Sequence, residues 1–208
     1  MGGVVAAAEA LAAGIFERAF AFIGAGGHHA GRDYFGGYCC YNDVVIAIAH
    51  LRATRNVRRF AILDTDAHHG DGTRDLTAED PEVLHVCICG TGFLSPDGTK
   101  VDVALPEALW SGEDADARYL ETAEAGFAAR APAFRPDLTV WYFGFDGHRG
   151  DYGDMGLSAR CFTGLADLMC RVADHASGGR LLTVLGGGSR TDLATALIPP
   201  IIRRLGEA

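Results

Sequence analysis

In this sequence an apolar strand runs directly into a polar cluster, Phe60-Ala61-Ile62-Leu63-Asp64-Thr65-Asp66-Ala67-His68-His69-Gly70-Asp71-Gly72. Ionisable groups at the end of a buried strand cost free energy unless a metal ion or hydrogen bonds satisfy them. Asp66 and His68 are two residues apart, so in an extended chain they point the same way and can begin a tetrahedral zinc site. A capped loop with hydrogen-bonded aspartates explains the same residues, and spacing alone does not choose between these interpretations.

On both sides of this strand, extended and helical segments alternate along the chain. The other predicted strands are 19–23, 83–89, 101–105, 138–143 and 181–185. The predicted helices are 4–13, a segment from Asn42 or Asp43 to Arg55, a short segment after Gly72, 113–130, and 191–205. A further predicted helix is marked by apolar residues from Phe162 to Val172 and ends at Gly178-Gly179. This alternation predicts an α/β fold with a parallel sheet between layers of helices. In such folds functional side chains gather beyond the carboxyl ends of the strands.

Two further polar clusters follow predicted strands. The first contains His28 and His29, whose side chains diverge and therefore suit two separate acid–base groups better than one shared metal ion. An ordinary surface pair of histidines is the commoner explanation of two such residues. The second contains Asp146, which closes a strand and is a candidate third metal ligand. Two carboxylates and one imidazole leave a fourth position for water, as in catalytic zinc sites.

A glycine-rich loop, Gly186-Gly187-Gly188-Ser189-Arg190, connects the last predicted strand to the last predicted helix. A loop of this kind at a helix N-terminus can bind phosphate. The sequence fits neither common nucleotide-binding pattern, so no motif supports nucleotide binding by this loop. Close packing of the loop beneath a neighbouring site is the alternative.

Length and composition exclude several classes of protein. The 208 residues predict one domain, 1–208, and 49 % apolar with 22 % charged residues exclude wholesale disorder. A net charge of −9 argues against a nucleic-acid partner. Without a membrane-length apolar run or a secretory signal, we expect a cytoplasmic protein with no membrane partner. Six scattered cysteines without a Cys-x-x-Cys motif do not predict a disulfide scaffold or a zinc ribbon.

The polar motifs follow one another in a characteristic order. They read Gly27-His28-His29-Ala30, Gly37-Tyr38-Cys39-Cys40-Tyr41-Asn42-Asp43, Asp64-x-Asp66-x-His68-His69-Gly70-Asp71-Gly72, Gly144-Phe145-Asp146 and Leu185-Gly186-Gly187-Gly188. In this order, from about Gly3 to the C-terminus, the chain resembles the zinc-dependent histone deacetylase family, which includes bacterial histone deacetylase-like amidohydrolases. The resemblance implies the three-layer arginase/deacetylase-like fold and hydrolysis of an acetylated amine, either acetyl-lysine or an acetylpolyamine.

The resemblance also implies roles for individual residues. The implied zinc ligands are Asp66, His68 and Asp146. The implied acid–base pairs are His28 with Asp64 and His29 with Asp71. In this scheme His29 takes the proton from a water molecule, and a histidine protonates the leaving amine.

The implied substrate channel has two walls. Gly37 and Tyr38 would form one wall, and Phe93 is a candidate for the other. The family also binds a monovalent cation, K⁺, near the Asp64–His68 segment, partly through a serine on the next strand. This chain has Cys87 at that position.

Two features depart from the family pattern. The family normally has a longer N-terminal section that supplies a sheet strand and a rim loop with a substrate-binding Asp, so we expect this chain to lack those elements. The glycine loop is usually followed by a Tyr that stabilises the oxyanion, and Arg190 stands there instead. Either the guanidinium replaces the phenol, or it turns to solvent and leaves a slow enzyme. The alternative function is a weak or inactive deacetylase-like module that binds a partner. An oligomer is compatible with the sequence.

Overall fold

Seven strands form one sheet that is parallel except at one edge. In the computed structural model, which describes residues 2–22, 27–105 and 114–207, the strands are β1 (Arg18–Phe22), β2 (Phe60–Asp64), β3 (Val83–Ile88), β4 (Phe93–Leu94), β5 (Lys100–Val103), β6 (Leu138–Phe143) and β7 (Leu181–Leu185). Their order is β1-β7-β6-β2-β3-β5-β4, and only β4 and β5 are antiparallel. The predicted α/β fold with a mainly parallel sheet is therefore confirmed.

Helices cover both faces of the sheet. They are α1 (Gly2–Ala12), α2 (Asp43–Thr54), α3 (Asp71–Thr77), α4 (Ala115–Ala123), α5 (Ala131–Phe134), α6 (Ala159–Ala176) and α7 (Thr191–Glu207). One apolar core includes α1 and α2, and the other includes α4 to α7. Successive strand residues face opposite sides, so Phe60 and Ile62 of β2 join the first core whereas Ala61 and Leu63 join the second. The result is a three-layer arrangement.

The structure differs from the predicted elements in a few places. Strand β4 was not predicted, and the predicted helix 113–130 is α4 followed by a π-helical turn, Glu124–Ala128. Helix α2 begins after Asn42, whose side chain accepts a hydrogen bond from the backbone N–H of Val45 at 3.1 Å. The predicted strand end at 23, the following residues 24–26 and the predicted helix start at 113 lie outside the described residues. Among the helices that are described, none is both long and apolar enough to cross a bilayer.

Three neighbouring strands bring the polar motifs to one edge of the sheet. Strands β2, β6 and β7 are parallel and adjacent, with Asp64 opposite Tyr142 and Phe143 opposite Leu185. Their carboxyl ends therefore lie side by side, and the polar residues that follow them meet there.

Candidate metal centre

Two carboxylates and one imidazole converge at this edge of the sheet. Asp66 follows β2, Asp146 follows β6, and both are buried, whereas His68 is partly exposed. His68 Nδ1 lies 3.0 Å from Asp66 Oδ1 and 2.9 Å from Asp146 Oδ2. A ring nitrogen carries at most one hydrogen, so it can satisfy only one of these carboxylates. A bound cation would satisfy all three groups.

The less well satisfied carboxylate is that of Asp146. Its Oδ2 is buried and, within the described part of the chain, has no polar partner besides the His68 nitrogen that it shares with Asp66, while Oδ1 accepts from the backbone N–H of Ala67 at 3.1 Å. Burial and the charge of Asp66 raise the pKa of Asp146 to about 6. The carboxylates of Asp146 and Asp66 raise the pKa of His68 to about 10. The three donor atoms lie within 4.8 Å of one another, and two carboxylates with one imidazole are a set that fits Zn²⁺.

Two glycines leave the space around these carboxylates open. A Cβ atom on Gly187 would lie 2.1 Å from Asp66 Oδ2, and one on Gly144 would lie 2.7 Å from Asp146 Oδ1. Real Cβ atoms do not approach so closely, so any side chain at either position would displace a carboxylate. The glycine loop after β7 therefore packs against the candidate metal centre, which is the alternative that the sequence left open for it.

His28 is buried beside the three converging groups and is held on both sides. Its Nδ1 lies 2.9 Å from Asp64 Oδ2, and its ring stacks on Tyr142 at 4.7 Å between centroids. Its Nε2 lies 3.7 Å from Asp66 Oδ1. Burial lowers the pKa of His28, but the charge and hydrogen bond of Asp64 outweigh it and raise the value to about 9. The same charge pair lowers the pKa of Asp64 against the effect of burial.

His29 is the more accessible histidine. Its side chain is 20 % exposed, and its Nδ1 lies 2.6 Å from Asp71 Oδ1. Its ring lies 4.1 Å from that of His28 and 6.2 Å from that of His68. Because the Asp71 carboxylate accepts from Nδ1–H, Nε2 is left as a proton acceptor.

His28, His29, Asp66 and His68 line one cavity of about 730 Å³. Its lining also includes Gly37, Tyr38, Cys39, Tyr152 and the loop 186–189. Gly37 packs directly on His29, since a Cβ there would lie 2.0 Å from His29 Cδ2. Gly37 and Tyr38 both have left-handed backbone, with φ of +49° and +64°, and the Tyr38 side chain is 97 % exposed. A non-glycine residue held in this conformation stores strain, as is common in ligand-binding loops.

Phe93 is not among the residues that line the cavity. It lies on β4 at the edge of the sheet, with the Arg74 guanidinium 5.3 Å from its ring centroid. Strand β4 is separated from β2 by two strands. The expectation that Phe93 forms a wall opposite Tyr38 stays a prediction.

Arg190 also points elsewhere. Its Nε donates to Asp192 Oδ1 at 3.0 Å, one Nη donates to the Gly150 carbonyl at 3.3 Å, and the side chain is 47 % exposed. It is not part of the cavity lining. Of the two placements that the sequence left open, the structure shows the guanidinium turned to solvent, where an adjacent carboxylate compensates its charge.

Tyr152, which no sequence motif singled out, lines the cavity, whereas Arg190 does not. The Tyr152 ring stacks on His68 at 5.3 Å, and its hydroxyl accepts from the backbone N–H of Gly188 at 3.2 Å. A Cβ on Gly187 would lie 3.0 Å from this hydroxyl and 2.1 Å from Asp66 Oδ2, so the hydroxyl borders the carboxylates. Burial and the nearby carboxylates raise the pKa of Tyr152 to about 12. The phenol is therefore protonated at neutral pH and can donate.

This sheet, with these groups at its carboxyl edge, defines an α/β protein of the arginase/deacetylase-like class. Residues 1–203 match the family described as Histone deacetylase domain. The chain therefore belongs to the histone deacetylase family. The crystal structure of the HDA15 HD domain aligns with a TM-score of 0.82 at 25 % identity, covering 99 % of this chain and 61 % of that one.

Relatives from three kingdoms are similar to most of this chain. Histone deacetylase 9 of Homo sapiens is 29 % identical over 90 % of this chain and 20 % of its own length. Histone deacetylase 14, chloroplastic, of Arabidopsis thaliana is 29 % identical over 89 % of this chain and 46 % of its own length. The Histone deacetylase-like amidohydrolase of Pseudomonas aeruginosa is 29 % identical over 90 % and 52 %, respectively. The chain thus spans about half or less of these relatives.

Proposed function

We propose that this protein is a zinc-dependent deacetylase that hydrolyses the amide of an acetylated amine, with acetyl-lysine or an acetylpolyamine as substrate. The observation that carries the proposal is the convergence of Asp66, His68 and Asp146 at a cavity whose lining includes His28 and His29, each paired with an aspartate. Membership of the histone deacetylase family supports it.

The three converging groups would hold Zn²⁺ and leave a coordination position open. When bound, the metal would supply Lewis-acid polarisation of the amide carbonyl and lower the pKa of water. The two carboxylates would balance its charge, so a separate base helps to take the proton. The need for a separate base explains why His28 and His29 lie beside the three converging groups without belonging to them.

His29 is the proposed general base. Its exposure gives it access to water in the cavity, and Asp71 fixes its ring orientation and stabilises the imidazolium that forms. His28 is the proposed general acid. The Asp64 carboxylate accepts a hydrogen bond from its Nδ1 and favours the imidazolium, whose proton can pass to the leaving amine.

Tyr152 is the proposed oxyanion donor. Its oxygen already accepts a hydrogen bond from Gly188, so its own hydrogen is free to point toward the carbonyl oxygen of a bound amide. The family resemblance would give this role to the residue at position 190, and here we assign it to Tyr152 instead.

The remaining expectations also stay proposals. All six cysteines are free, which supports a reducing, cytoplasmic location. A K⁺ ion near the Asp64–His68 segment would meet the thiol of Cys87, and a thiol is a poor ligand for a hard cation.

The direct test measures amine release from acetyl-lysine peptides and acetylpolyamines by the zinc-loaded chain. We expect turnover of at least one of these substrates, and Asp66→Ala should abolish it. If a folded, zinc-loaded protein binds these ligands and hydrolyses none of them, the chain is the binding module instead.

Replacing the proposed base should separate chemistry from metal binding. We expect His29→Ala to lower kcat by about 10²-fold or more, the usual contribution of a general base. Zinc content measured by mass spectrometry should hardly change, because His29 is not one of the three converging groups. His50→Ala is the matched control, since this histidine pairs with Glu9 away from the cavity. A His29→Ala variant with the full rate would contradict the assignment.

A further inference from the structure

A second group of metal-ligand side chains lies beside the candidate metal centre and shares no residue with it. It consists of His69, Cys87, Cys89 and Asp102, whose donor atoms all lie within 4.8 Å of one another. Below, this group is called the thiol cluster. Both cysteines are fully buried, Asp102 is 7 % exposed, and the His69 side chain is 35 % exposed. The cluster is therefore closed on most sides and reachable from one.

The sheet register builds the thiol cluster. Cys87 on β3 is the Cα partner of Asp102 on β5, so their side chains leave the same face of the sheet. Cys89 comes just after the end of β3, and its Sγ lies within 4.8 Å of the other donor atoms. His69 approaches from the loop after β2, and its Nδ1 lies 3.2 Å from Cys89 Sγ and 3.6 Å from Asp102 Oδ1.

These distances match those between ligands of one tetrahedral zinc ion. Metal–ligand bonds of about 2.3 Å to sulfur and about 2.0–2.1 Å to nitrogen and oxygen place N and S about 3.6 Å apart, and N and O about 3.4 Å apart. Four protein ligands leave no open position, which is the arrangement of a structural rather than a catalytic zinc site.

The charges also balance. Two thiolates and the Asp102 carboxylate would carry three negative charges against the two positive charges of Zn²⁺. Arg74 supplies the remaining positive charge, because its guanidinium donates to both Asp102 oxygens at 3.1 and 2.6 Å. Each carboxylate oxygen has a further lone pair, so Asp102 can bind the guanidinium and a metal together.

We propose that the thiol cluster is a second metal site, which binds Zn²⁺ and joins β3, β5 and the loop that carries His68. The proposal does not depend on the proposed deacetylase activity. Sulfur ligands distinguish it from the first centre, whose three groups offer only oxygen and nitrogen. They also favour a soft or borderline metal over K⁺.

Cobalt substitution provides the test. The reduced, metal-stripped chain is loaded with Co²⁺ under anaerobic conditions, and we expect an intense thiolate-to-cobalt charge-transfer absorption in the near ultraviolet. Cys87→Ser/Cys89→Ser should lose this absorption and one metal ion per chain. Asp146→Ala should lose one metal ion and keep the absorption. Cys161→Ser, a buried cysteine of α6 outside the cluster, is the matched control and should change neither.

Two results would overturn the proposal. One is a wild-type protein with titratable, reduced thiols and no charge-transfer absorption. The other is an absorption that survives in the folded double variant. If the double variant fails to fold, the wild-type spectrum and its displacement by Zn²⁺ decide the question alone.

Discussion

Asp146→Ala will remove the zinc ion of the first centre and abolish amide hydrolysis. Asp146 is completely buried and supplies one of the three donor atoms that converge at this centre, so its loss leaves only Asp66 and His68 to hold the ion. Loss of a residue that only hydrogen-bonds to a metal ligand lowers metal affinity by about 10- to 100-fold. Loss of a direct ligand should cost more, so zinc affinity at this centre should fall by more than about 100-fold. Metal analysis and the rate of amine release check both parts.

The variant should remain folded, because removing Asp146 relieves its repulsion with Asp66 in the metal-free protein. Asp146→Asn, which retains the hydrogen bond from Ala67, is a second and gentler substitution. Asp167→Ala is the matched control, since its exposed carboxylate pairs with Arg204 far from the cavity. Full zinc content and full rate in both Asp146 variants would show that this ligand assignment is wrong.

Tyr152→Phe will lower kcat by about 10²–10³-fold, the typical cost of losing one oxyanion donor. Zinc content should not change, because the ring and its stacking on His68 remain. The comparison variant is Arg190→Ala, which we expect to keep its rate within a few-fold, since this guanidinium pairs with Asp192 outside the cavity. If Arg190→Ala shows the large loss and Tyr152→Phe does not, the guanidinium moves inward during catalysis and is itself the donor.

Most of the fold could be predicted because its strands are apolar runs bounded by glycine or polar residues. The predicted strands 138–143 and 181–185 coincide with β6 and β7. Strand β4 was missed because two residues, Phe93 and Leu94, are too few to show a period. It forms the antiparallel edge of the sheet, which carries Phe93.

The candidate site was predictable in part. Asp66 and His68 share a two-residue spacing that suggests a metal pair, whereas Asp146 comes from another strand and joins them only through the parallel sheet. The His–Asp pairings came from resemblance, and no local pattern specifies them.

Neither residue spacing nor the family motifs could identify Tyr152. The loop 151–154 is held by Asp151, whose carboxylate accepts hydrogen bonds from the Ser189 backbone N–H and hydroxyl. This contact, between two loops that are distant in the sequence, sets the position of the Tyr152 phenol. A sequence motif identifies the residue at position 190. It does not show which of the two loops in contact, 151–154 or 186–190, supplies the oxyanion donor.

The position of β5 near the sheet edge has a kinetic consequence. The ligands of the first centre follow β2 and β6, which have neighbouring strands on both sides, whereas Asp102 of the thiol cluster lies on β5, whose outer neighbour is only the two-residue β4. Edge segments open locally at a lower free-energy cost than central strands, so their amide hydrogens exchange with deuterium sooner. Local openings of β5 should therefore loosen the Asp102 corner of the thiol cluster more often than β2 and β6 separate from their neighbours.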